Sequence, residues 1–186
     1  IDRNVKSVLS RLGSYQLSNA ITALEVVQAL RDAGWTISEE AAARGLAAAQ
    51  WPGRLELARR SPDFIVDGGH NPQCVDALAA ALESLYPGRK LIFLSGVLAD
   101  KDWHSMFRRV LPLAKAFVAV TPDSPRALPA AELAAWLAQF SLPVSVQETL
   151  DQGVDTALAL AGPEDVICAW GSLYSVGEIR HHLGLC

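Results

Sequence analysis

The chain has 186 residues, 51% of them apolar, enough for one full hydrophobic core and part of a second. A net charge of −4 argues against nucleic acid as a partner, because phosphate binding needs a basic surface. No apolar run approaches the ~18 residues a membrane-spanning helix needs, and three scattered cysteines without a CxxC pair argue against a metal site or a disulfide framework and fit a cytoplasmic protein.

The opening residues, Ile1-Asp2-Arg3-Asn4, carry no initiator Met and no signal-peptide pattern, and read as a chain cut from something longer. The first fifty residues read as helical. Leu17, Ala20, Ile21, Leu24, Val27 and Leu30 recur at three- and four-residue spacing and make one apolar stripe. Ser18 is expected to cap this helix and Gly34 to end it. Ser38-Glu39-Glu40 opens a second helix running to about Ala49, with a capping Ser and acids in the first turn. Trp51-Pro52-Gly53-Arg54 breaks it.

From Leu55 the rhythm becomes strand, turn, helix. Leu55 to Ala58 and Phe64 to Val66 read as the two strands of an antiparallel hairpin, followed by a helix from Pro72 to Leu85. Further strands are expected at Leu91 to Leu94, Phe117 to Val120, Val144 to Val146 and Val166 to Ala169. Further helices are expected at Trp103 to Val110, Ala130 to Phe140, Asp151 to Ala161 and Leu173 to His182. Such alternation builds an α/β fold with a mostly parallel sheet, helices on both faces, and an N-terminal antiparallel edge strand. Apolar runs without alternation fit strands buried on both sides.

Chemistry belongs at the loops that leave the strands, where open α/β sheets bind ligands. After Val66 comes Asp67-Gly68-Gly69-His70-Asn71, and after Leu94 a loop ending in Asp100-Lys101-Asp102. After Val120 comes a loop with Arg126 between prolines and the next helix, and after Ala169 comes Trp170-Gly171-Ser172-Leu173-Tyr174. In a parallel sheet these loops share one edge, so Asp67, His70, Lys101, Arg126 and Ser172 can converge. Cations, hydroxyls and helix N-termini suit an anionic ligand such as a carboxylate or phosphate. Each residue also has a plainer reading. Asp67 can make an Asx turn with the glycine backbone, and Asp102 and Ser172 can be helix caps. His70 and Arg126 can be surface residues, and His181-His182 a favourable last-turn placement. Neither G-x-x-x-x-G-K-[ST] nor G-x-G-x-x-G is present, so a full triphosphate cradle is not built here.

Five motifs occur in order: Trp51-Pro52-Gly53-Arg54-Leu55-Glu56, Asp67-Gly68-Gly69-His70-Asn71-Pro72, Gly96 to Asp102, Pro125-Arg126-Ala127 and Gly171-Ser172-Leu173-Tyr174. Together they resemble folylpolyglutamate synthase and its bifunctional dihydrofolate synthase form, a branch of the Mur ligase superfamily. The resemblance implies an ATP- and Mg2+-dependent ligase that activates a folate or dihydropteroate carboxylate as an acyl phosphate and joins L-glutamate to it. It implies that residues 1–53 are the helical tail of an ATPase domain carrying the P-loop and magnesium ligands. Residues 54–186 would then be the Rossmann-like glutamate-binding domain. By the same resemblance Asn19 contacts adenine, Arg54 the ATP phosphates and Asp67 the ribose. His70 lies beside phosphate and glutamate, Lys101 meets the glutamate carboxylate, and Ser172 and Tyr174 hold its other carboxylate. Alone, the chain is expected not to turn over ATP.

There are departures. The family often has His-Gln at Tyr15-Gln16 and Ala at Gly69; the second is expected only to loosen the turn. Two other readings remain: a Mur-type amino-acid ligase of cell-wall synthesis, and a non-catalytic α/β domain that binds a nucleotide or partner.

Overall fold

The computed structural model describes residues 14–185, with side chains from residue 18 onward. Expectations placed on earlier residues, and on the Tyr15, Gln16 and Leu17 side chains, lie outside the described residues. The chain divides into two compact units, Ile1–Trp51 and Pro52–Cys186.

In the first unit, α1 spans Ser14–Asp32 and α2 spans Glu39–Ala48. Ser18 therefore sits inside α1 rather than capping it, and its carbonyl accepts from Thr22 Oγ1 at 3.0 Å. Gly34 ends the helix as expected. Its φ of +95° is a conformation glycine adopts without a Cβ penalty. Gly34 N–H donates to Arg31 O at 2.9 Å and Trp35 N–H to Leu30 O at 3.0 Å, which is a Schellman cap. Ser38 caps α2, accepting from Ala41 N at 3.1 Å. The apolar stripe is only partly buried: Ala20 is covered, with Leu46 packed against it, while Ile21 is 47% exposed.

The second unit holds six strands: β1 Glu56–Arg59, β2 Asp63–Asp67, β3 Leu91–Ser95, β4 Ala114–Val120, β5 Val144–Gln147 and β6 Val166–Trp170. Their spatial order is β1-β2-β6-β3-β4-β5. β1 pairs antiparallel with β2 at the edge, and every other pairing is parallel. β1 starts one residue later than expected because Leu55 has a left-handed φ of +47°. β4 starts three residues earlier than expected, because pairing with β3 extends the strand beyond its apolar run.

The helices are α3 Pro72–Leu85, α4 Trp103–Val110, α5 Ala130–Leu137, α6 Leu150–Leu160 and α7 Leu173–His182. The expected helix to Phe140 instead ends at Leu137 and tightens into a 3₁₀ turn, Ala138–Phe140. On one face of the sheet, Phe64, Val66, Ile92, Leu94, Val118 and Ile167 pack against Leu150, Val154 and Ala157 of α6 and Ile179 of α7. Strand side chains alternate, and on the other face Phe107 of α4 meets Phe117 and Trp170, with ring centroids 5.8 and 4.9 Å apart. Helices thus cover both faces, and β2, β3 and β6 are almost wholly buried. No helix among the described residues is long and apolar enough to cross a membrane.

Candidate functional site

The strand order makes the loops leaving β2, β6, β3 and β4 neighbours along one edge of the sheet. Backbone contacts lock them side by side. Gly171 N–H donates to Gly69 O at 3.1 Å, joining the β6 and β2 exits. Gly171 has φ +119°, and a Cβ there would stand 2.6 Å from Gly96 O in the β3 exit, so only glycine fits. The β3 and β4 exits are zipped by Ala99 N–H to Arg126 O at 2.8 Å and Leu128 N–H to Val97 O at 2.9 Å.

Asp67, at the end of β2, is 4% exposed. Its Oδ1 accepts from Gly69 N–H at 2.7 Å, closing an Asx turn, and its Oδ2 accepts from Leu55 N–H at 2.8 Å. The plainer reading of Asp67 is therefore physically present. Gly68 N–H also donates to Gly53 O at 2.7 Å. These bonds fasten the Gly53-Arg54-Leu55 turn to the Asp67-Gly68-Gly69 turn, so half-buried Arg54 is carried beside Asp67. A Cβ at Gly69 would lie 2.8 Å from Asp67 Oδ1. An alanine there would crowd the oxygen that makes the turn.

His70 Nδ1 lies 2.9 Å from Gly68 O. A carbonyl can only accept, so this contact puts the proton on Nδ1 and leaves Nε2 as the outward-acting nitrogen. Asn71 caps α3, accepting from Cys74 N–H at 2.9 Å, with Pro72 in the first turn.

In the β3 exit, Asp102 caps α4, accepting from Ser105 N–H at 3.3 Å, and hydrogen bonds from Ser105 hold its carboxyl below the usual range. Asp100 pairs with Arg126 at 2.9 Å, joining the β3 and β4 loops through exposed side chains. Lys101 is half-buried between the two acids, and its ammonium has no ion-pair partner among the described residues. At the β6 exit, buried Ser172 caps α7 by accepting from Tyr174 N–H at 3.2 Å, while the Tyr174 ring is exposed. The edge therefore brings Arg54, Asp67, His70 and Ser172 onto joined loops, next to the pair of loops holding Lys101 and Arg126. Asn19 is an exposed residue of α1, in the other compact unit.

Some features escaped local sequence reading. His182 is not simply a last-turn histidine: Nδ1 and Nε2 lie 3.1 and 2.9 Å from Asp151 and Asp155, stitching α7 to α6. Asp67, Trp170 and Ser95 are register partners across β2, β6 and β3, a polar row no local pattern announces. Beneath it, burial and then the Asp67 charge push the Cys168 thiol well up, which leaves it inert. Glu56 pairs with Arg180, 124 residues away. Among the described residues, no group of three or more His, Cys, Asp or Glu side chains is arranged to hold a metal ion.

Residues 53–173 match the family of the Mur ligase, glutamate ligase domain. The chain is 32% identical to the folylpolyglutamate synthase of Lacticaseibacillus casei over 92% of its own length and 39% of that protein. It is 30% identical to the dihydrofolate synthase/folylpolyglutamate synthase of Bacillus subtilis over 94% and 40%. Among solved structures, Mycobacterium tuberculosis folylpolyglutamate synthase complexed with ADP superposes with a TM-score of 0.83 at 31% identity, covering 92% of this chain and 40% of that one. E. coli FolC in complex with DHPP and ADP gives 0.78 at 26% identity, covering 87% and 38%. The chain spans about two fifths of the length of these relatives. With its mixed sheet, its glycine-locked strand exits and this match over most of its length, the chain belongs to the Mur ligase glutamate ligase domain family.

Proposed function

We propose that this chain is the C-terminal part of an ATP-dependent ligase that adds L-glutamate to a folate, with dihydropteroate as a second acceptor class. The observation that supports this most is the joined edge: an arginine, a buried acid and a histidine on two cross-bonded turns, beside loops carrying Lys101 and Arg126. An amide ligase must hold polyphosphate and a dicarboxylate amino acid together, and this edge offers separate cationic places for both.

In this reading ATP supplies the phosphoryl group that turns the folate carboxylate into an acyl phosphate. The glutamate amine then attacks the carbonyl carbon, the C–N bond forms, and phosphate leaves. Arg54 binds ATP phosphates, Asp67 positions the ribose, and Asn19 meets adenine. His70 presents Nε2 to the reacting groups. Lys101 and Arg126 attract the glutamate carboxylates, and the α7 N-terminus with Ser172 and Tyr174 receives the second one. The loops that carry these groups are joined through the Gly171 N–H to Gly69 O bond. In this reading the divalent metal is held by an ATPase domain of the same protein.

The test uses the intact protein, expressed from its complete reading frame, with ATP, Mg2+, L-glutamate and tetrahydrofolate. The expected product is the folate one glutamyl residue longer, with one ADP per bond. Glutamylation of a muramyl precursor instead, or no ADP with either acceptor, would overturn the assignment.

A further inference from the structure

The Gly53-Arg54-Leu55 turn is an uncomfortable piece of backbone. Gly53 has φ +71°, and buried Leu55 has φ +47°, a left-handed conformation that a branched side chain adopts at a cost of about 1–2 kcal/mol. Such a conformation persists only where surrounding bonds over-determine it. Two of those bonds run to the β2 exit, through Gly53 O and Leu55 N–H. The third does not. Gly53 N–H donates to Glu56 Oε2 at 2.7 Å, while Glu56 Oε1 accepts from Arg180 Nη1 near the end of α7. The Arg180 Nη2 group in turn donates to Leu185 O at 3.1 Å. Both side chains are largely buried, at 17% and 22% exposure, where a charge-assisted bond is shielded from water and holds its geometry.

We infer that Arg180, acting through the Glu56 carboxylate, is a positioning residue that aims Arg54 at the ATP phosphates. The inference rests on the function proposed above. Glu56 spans two tasks: one oxygen pins the turn that carries Arg54, and the other is fixed by a guanidinium from the far end of the chain. Without that cation the carboxylate is free to turn to solvent, Gly53 N–H loses its acceptor, and the turn can relax from its left-handed form. Arg54 has no ion-pair partner of its own among the described residues, so its direction depends on this backbone. Lys101 and Arg126 sit on other loops and do not share the relay.

The test is a double-mutant cycle on the intact protein: Arg54→Ala, Arg180→Met and both together, with KM for ATP, KM for glutamate, kcat and thermal stability measured for each. Arg180→Met is expected to raise the ATP KM about tenfold, with the glutamate KM within about twofold of wild type. In the Arg54→Ala background the same substitution is expected to change the ATP KM less than about twofold, because a relay has nothing left to aim. An equal fold-change in both backgrounds, or an unmoved ATP KM, would overturn the inference. If Arg180→Met does not fold, Glu56→Ala replaces it. Gly53 N–H then has no side-chain acceptor, and a flat ATP KM there is equally contrary. A wild-type protein with no saturable ATP dependence would overturn the underlying function. A saturable wild type with unmoved variants overturns the relay alone.

Discussion

Along one sheet edge, the exit of β2 and the exit of β3 hold their acids by opposite means. Asp67 is buried, and both its oxygens accept from backbone N–H groups of two different turns. Asp100 is about half exposed and meets the Arg126 guanidinium, itself 54% exposed. In the first region fold and site are the same bonds: removing the acid unlatches Leu55 and Gly69 together. In the second, the backbone zipper between Val97 and Leu128 carries the shape, and the charged side chains pair at the surface without holding it. Substitutions should therefore cost stability in the first region and binding alone in the second.

The largest expected effect is Asp67→Ala. Two hydrogen bonds to a charged acceptor, each contributing about 1.5–3 kcal/mol, disappear, and two N–H groups lose their partner. Denaturant unfolding should show a loss of at least about 3 kcal/mol; a loss near zero would break the contrast. Next is Gly69→Ala, which places a Cβ against Asp67 Oδ1 and should cost about 1–3 kcal/mol by the same measurement. A third effect lies at the opposite end of the same strand and serves as a control. Burial, then the Asp63 hydrogen bond, pushes the Tyr86 hydroxyl up to about 12. The folded state therefore keeps this proton when the unfolded chain has lost it. The contribution is complete below pH ~10 and is lost as pH rises toward about 12. Alkaline unfolding of Tyr86→Phe should lack that dependence, while its ATP and glutamate constants stay unchanged. The smallest effect is Arg126→Ala, an exposed pair worth under about 1 kcal/mol, and less in high salt. A drop of several kcal/mol there would erase the distinction between the two regions.

Much of this edge was legible because its devices are local. An acid two residues before a glycine N–H, an Asn three before Cys74, and a Ser one residue before α7 announce turns and caps within one turn of chain. The hairpin, the alternation of elements and the glycine-rich exits followed from the same short-range rules. What escaped depends on long-range pairing. Leu55 reads as the first residue of a strand, yet Asp67 draws its N–H and bends it left-handed. Nothing near Glu56 names Arg180, and nothing near His182 names Asp151 and Asp155. Ser18 looks like a cap, but the helix already includes it. The roles proposed for Asn19, Arg54 and Lys101 rest on family resemblance, because no local pattern distinguishes these from ordinary surface residues.

The most direct test of the two-region picture is steady-state kinetics of Arg54→Ala and Lys101→Ala in the intact protein, with ATP and glutamate varied in turn. The expected result is a split: Arg54→Ala raises the ATP KM and leaves the glutamate KM within about twofold, and Lys101→Ala does the reverse. If both substitutions move the same constant, or neither moves either, the edge is not divided between phosphate and amino acid as proposed.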